Sequence, residues 1–147
     1  MAKRFRWRFE AVKRAKEREE ERRQQELAEA LAGLRAEEAE RDRALALQEQ
    51  YRQQLREKQT GRLNTADISL INTYLETLSY QAETVETRIK AAGEIVRQKQ
   101  EALMRTVRDR KVLENLRERD HQVFRKEERR RDQALMDEVA GRRKYNI

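Results

Sequence analysis

From Ile68 the apolar residues recur at alternating steps of three and four, through Ile71, Leu75, Leu78, Ala82, Val85, Ile89 and Ala92 to Val96. That is the heptad spacing of a coiled-coil seam, narrower than the apolar face of a globular helix. The stretch containing it, Thr65 to Arg143, has no proline and only two glycines, Gly93 and Gly141, so nothing in it forces a break. As a helix it would be roughly 110 Å long, too long for one small core to enclose. The seam therefore needs a partner helix, from this chain or from another.

Composition supports long helices over a globular core. Charged residues make up 43% of the chain against 37% hydrophobic, and proline is absent. That leaves too little apolar surface for a normal core, while Arg, Glu, Gln, Ala and Leu all favour helix. Disorder is the alternative for so polar a chain, but disordered chains rarely keep a seam in register. With no cysteine, disulfides and thiolate metal sites are excluded. The basic start Lys3-Arg4-Phe5-Arg6-Trp7-Arg8-Phe9 is not followed by the apolar core of a signal peptide, and nothing approaches the length of a membrane span. The expectation is a soluble, intracellular protein, whose net charge of +7 favours anionic partners.

The first part of the chain, Phe5 to Lys58, is also helical in composition. Its apolar positions are Phe5, Phe9 and Val12, then Leu27, Leu31 and Leu34, then Leu45, Leu47, Tyr51 and Leu55. Between Lys13 and Glu26 only Ala15 is apolar. Helix there would lean on ion pairs such as Glu10 with Arg14 and Glu19 with Arg23, each worth about 0.2 to 0.5 kcal/mol, so this is expected to be the most weakly held section. A break follows at Thr60 to Asp67. Gly61 is suited to ending the first helix in a left-handed conformation, and Asn64 or Thr65 to capping the second, with Asp67 near the positive end of its dipole. So short a connection returns the second helix antiparallel to the first.

A fold-back centred near residues 62 and 63 brings the apolar positions together. It places Leu55 near Leu70 and Ile71, Tyr51 near Tyr74, Leu47 near Leu78, and Leu34 near Ala91 and Ala92. Farther along, Val12 falls near Leu113, Phe9 near Leu116, and Phe5 beside Asp120, one turn from Phe124. Past Val96 polar residues take over the seam at Lys99, Thr106, Arg110 and Arg117; long side chains can lay their stems along it, and polar seam residues fix register. Beyond about residue 121 the second helix has no partner in this chain, though Leu135, Met136 and Val139 form an apolar patch at helical spacing. The expected fold is all-α: one coiled-coil domain over residues 1–147, an antiparallel hairpin with an overhanging C-terminal helix. Helix one is expected over about residues 5–59, a turn at 60–65 and helix two over about 66–143.

No chemistry is legible. The single histidine, His121, lies in a charged helix and is assigned no role. The carboxylate runs Glu19-Glu20-Glu21 and Glu127-Glu128 lie among arginines, where a solvated face is the plainer reading than a shielded acid–base pair. The glycines stand alone, so there is no phosphate loop. The expectation is no enzyme activity, no cofactor, no metal and no small-molecule substrate. The arginine–aromatic N-terminus could stack bases and contact phosphates, yet Phe5 and Phe9 fit the seam with Arg4, Arg6 and Arg8 facing outward, and a basic-region DNA reader would need its zipper for dimerisation. Nucleic acid or anionic membrane is therefore kept as the alternative partner class.

Two stretches carry a family resemblance. Phe5-Arg6-Trp7-Arg8-Phe9-Glu10-Ala11-Val12 is similar to the aromatic-rich start of the FliJ family of bacterial flagellar type III export. Leu113-Glu114-Asn115-Leu116-Arg117-Glu118-Arg119, followed by a charged run and Leu135-Met136-Asp137-Glu138-Val139-Ala140, is similar to that family's C-terminal pattern. The resemblance implies a non-enzymatic, stalk-like coiled coil supporting flagellum assembly and motility. It would bind the hexameric export ATPase through Phe5, Phe9, Leu113, Leu116, Phe124, Arg129, Arg130, Leu135 and Met136. It would meet the cytoplasmic domain of the membrane export gate through Leu47, Tyr51, Tyr74 and Leu78. It also implies binding of export chaperones, with no residues assigned, and a cytoplasmic location at the membrane of the flagellar base. The equivalent stalk of a virulence-type secretion system is a variant of the same reading.

Overall fold

The computed structural model describes residues 3–61 and 64–145, with Tyr145 described by its backbone alone. The chain forms two helices, α1 (Glu10–Thr60, 51 residues) and α2 (Thr65–Tyr145, 81 residues). Thr60 Oγ1 donates to the Glu57 carbonyl at 2.9 Å, and Asn64 caps α2, its Oδ1 accepting from the Ala66 amide at 3.2 Å and its carbonyl from the Ile68 amide at 3.1 Å. Asp67, in the first turn of α2, is bridged to Lys58 at 3.2 Å. Gly61 does not take the expected left-handed conformation: the Thr60 hydroxyl satisfies a last-turn carbonyl that such a glycine would otherwise serve. The centre of the turn, at residues 62 and 63, lies outside the described residues.

The chain divides into two compact units, one of residues 23–103 and one of residues 1–22 with 104–147. In the first, α1 and α2 pair antiparallel around an apolar seam. Ile71, Leu78, Val85 and Val96 are buried, with Val85 only 2% exposed. Facing them, Leu27, Ala30, Leu34, Glu37, Arg41, Ala44, Gln48, Tyr51 and Leu55 are buried or half-buried at three-four spacing, so two charged residues interrupt the apolar stripe. The expected register is present: Tyr51 stacks on Tyr74 with centroids 5.4 Å apart and planes 3° from parallel.

One feature of α1 differs from the expectation. Leu45 and Leu47 are 48% and 40% exposed, while Gln48 is buried. Side chains on a helix turn by about 100° per residue, and the stripe through Ala44, Gln48 and Tyr51 passes between the two leucines. The cost of burying Gln48 is reduced because its Nε2 donates to Ser79 Oγ at 3.0 Å, giving the amide a partner.

In the second unit, α1 begins only at Glu10, later than expected. Residues 3–7 lie outside helix and Arg8 and Phe9 form a turn, closed by the Glu10 amide donating to the Trp7 carbonyl at 3.3 Å. Burial alternates along this segment: Phe5, Trp7 and Phe9 turn inward and Arg4, Arg6 and Arg8 outward. That is the two-residue period of extended backbone, so a helix here would have pulled the three rings onto different faces. Val12, expected opposite Leu113, is 47% exposed, because the inward positions of α1 are Lys13, Lys16 and Glu20.

Candidate partner-binding surfaces

The aromatic N-terminal segment is seated on α2. Trp7 is 7% exposed and its Nε1 donates to Asp120 Oδ2 at 2.9 Å. Phe5 meets His121 edge-on at 4.9 Å and Phe124 at 5.4 Å between centroids, with the Arg117 guanidinium 5.6 Å from its ring. Trp7 and Phe9 also meet edge-on, at 5.7 Å. These geometries suit aromatic quadrupoles and hold the segment with few backbone hydrogen bonds. His121, expected to be an ordinary surface residue, is half-buried as part of this platform. The signal for Trp7 was present in the alternation Phe5, Trp7, Phe9, which a helical reading hides.

Beside the half-buried Leu113 and Leu116, much of the remaining packing of this unit is polar. Thr106 is buried at 3% exposure. Lys16 reaches Asp109 at 3.3 Å, Arg117 donates to Glu10 at 3.1 Å, and Arg110 binds both Glu20 and Glu114. Glu10 is thus turned across to α2. The carboxylates of Glu114 and Glu20 hold the Arg110 guanidinium above its usual range, and those of Glu19 and Asp109 do the same for Lys16. In the other unit, partial desolvation pushes Glu26 upward, but Lys99 and Arg23 outweigh it and hold the carboxyl below its ordinary value.

From Arg129 to Ala140 every side chain of α2 is exposed. Leu135, Met136 and Val139 are 59%, 68% and 49% exposed and, with Ala140 and Arg143, line one apolar depression. Arg129 and Arg130 lie just before it. Of the other residues expected at this surface, Phe5 and Phe124 touch each other, while Phe9, Leu113 and Leu116 are half-buried within the unit. In the unit of residues 23–103, Leu78 is buried in the seam and Tyr51 is covered by its stack, leaving Leu47 and Tyr74 to present surface. Leu47 borders an open groove of about 500 Å³ together with Tyr80, Thr84 and Arg88. Tyr80, which lies outside the surface expected from the sequence, is 72% exposed.

Among the described residues, no helix is long and apolar enough to cross a membrane, and no cluster of His, Cys, Asp or Glu is arranged to hold a metal ion. A paired-helix chain whose distinctive features are contact faces is a coiled-coil interaction protein. Residues 5–146 match the family model described as Flagellar FliJ protein, nearly the whole chain, and the protein belongs to that family. The family is a non-catalytic component of the flagellar export apparatus, which places this chain in flagellum biogenesis and protein export. No curated protein and no solved structure matches it.

Proposed function

We propose that this chain couples the export ATPase to the membrane export gate without catalysing a reaction of its own. The observation that carries the reading is the exposed face of Leu135, Met136 and Val139 on a helix that leaves it uncovered. Exposed apolar clusters of this kind mark protein contacts. In this reading the face, with Arg129 and Arg130 beside it, meets the hexameric ATPase, and Phe5, Phe9, Leu113, Leu116 and Phe124 form the firm base from which it projects. Leu47 and Tyr74, backed by Tyr51 and Leu78, meet the cytoplasmic domain of the gate. The protein then works in the cytoplasm against the membrane at the flagellar base, and export chaperones are further partners.

The test is ATP hydrolysis by the purified export ATPase with the full chain and with a chain ending at Glu128. The full chain should stimulate turnover and the shortened one should not; equal stimulation would remove the role given to the overhang. Nucleic acid is the weaker alternative because Trp7 and Phe5, the rings that would stack on bases, are already packed on α2.

A further inference from the structure

The exposed face near the end of α2 has an internal symmetry. Its residues are Asp132, Leu135, Met136, Val139, Ala140 and Arg143. The acid stands three residues before Leu135 and the base three residues after Ala140, so the pattern reads the same in either direction with the charge inverted at its ends. At about 100° per residue, Asp132 and Arg143 lie along the midline, Leu135 and Val139 form one edge, and Met136 and Ala140 form the other.

A helix laid antiparallel against a copy of itself is related to it by a two-fold axis across the helices, which places each edge opposite the same edge of the copy, reversed. Leu135 then packs against Val139 of the second copy, Met136 packs against Ala140, and both ends of the contact join Asp132 to Arg143. The acids that could oppose this are turned to the flanks and held there. Asp137 accepts from Gln133 at 3.2 Å and Glu138 from Arg142 at 2.9 Å. Ala140 is small enough to let the helices approach.

We infer that this face is a self-association site, on which two copies of the chain pair antiparallel through residues 132–143. Charge complementarity selects a second copy as the occupant, since a parallel pairing would set Asp132 against Asp132 and Arg143 against Arg143. So short a face buries less than the ~1,000 Å² of a stable complex, so the dimer is weak, with Kd on the order of 100 μM. Pairing covers the same leucine and methionine proposed above to meet the ATPase. Self-pairing and ATPase binding are therefore mutually exclusive: the dimer forms only where the chain reaches concentrations near that Kd, and a tighter binder displaces it.

The test uses the full chain alone, so its outcome is independent of the ATPase assay. Sedimentation equilibrium up to millimolar concentration should show dimers. D132R or R143D alone should weaken them about tenfold or more, and the double exchange D132R/R143D should restore them. Because the chain has no cysteine, single introduced cysteines report direction. Met136→Cys lies within about 5 Å along the axis from its copy in the antiparallel pair and should cross-link on oxidation. Asp132→Cys should not cross-link alone but should do so when mixed with Arg143→Cys. A chain that stays monomeric, a dimer indifferent to the charge reversals, or efficient self-linking at Asp132→Cys would each overturn the inference.

Discussion

The two units solve the same pairing problem with different chemistry. Residues 23–103 bury Ile71, Leu78, Val85 and Val96 between helices, a seam dominated by apolar area, with cross-helix pairs such as Arg88 with Glu37 and Glu40 at its exposed rim. The unit containing residues 3–22 and 104–145 places Thr106 and Arg110 on its α2 seam and Lys16 and Glu20 on α1, and adds one aromatic clasp. Apolar area supplies stability almost anywhere along a seam. Ion pairs at the surface supply little net energy but fix which residue faces which. The first unit should therefore be the stable one, and the second the one whose packing responds to solvent and to single aromatic substitutions.

The largest effect should come from Val85→Asp, which leaves an uncompensated charge in the apolar seam. It should cost about 4 kcal/mol, read as loss of the cooperative circular-dichroism melt. Little change in melting would show that the seam does not carry the first unit. Next, Trp7→Ala should cost about 3 kcal/mol, confined to its own unit. Amide exchange should accelerate near Asp120 and stay unchanged near Val85, whereas uniform acceleration would deny that the clasp acts locally. Trp7→Phe, which keeps an aromatic ring but loses the bond to Asp120, should cost about 1 kcal/mol.

Gln48→Leu should be neutral or stabilising by up to about 1 kcal/mol, because Ser79 is exposed and turns to water when its partner goes. A large loss would mean that the bond holds the helices in register beyond what the neighbouring apolar pairs do. The smallest effect concerns pH. The carboxyls of Glu26 and Glu94 are held below their ordinary 4.5 in the folded chain, Glu94 by its hydrogen bond to Arg97. Their contribution is present above that pH and lost as pH falls through the lowered values. Lys16, raised above 10.5, contributes below that pH and loses its contribution as pH rises beyond it. Melting temperature followed from neutral pH toward each extreme should decline in both directions, and a rise on acidification would reverse the assignment.

Much of this was legible beforehand. The pairing of Tyr51 with Tyr74 and the nearness of Phe5 to Phe124 follow from a fold-back near residue 62, because heptad spacing admits few registers that match apolar to apolar. The overhang was legible for the same reason, since α2 simply outlasts its partner. Less visible was which residues of α1 turn inward. Leucine content pointed to Leu45 and Leu47, and the seam instead took Gln48, because a helix face is set by angle along its whole length and Ser79 was waiting to receive the amide.

Sequence alone determined two antiparallel helices, their register and the uncovered apolar patch, since these depend on spacing, which is a property of the chain. Tertiary structure decided that Lys3 to Phe9 is not helix, that Trp7 is buried on Asp120, and that His121 belongs to an aromatic platform. Those outcomes depend on a surface supplied by residues more than a hundred positions away, and the preference of Phe5, Trp7 and Phe9 for that surface outweighs their modest local preference for helix.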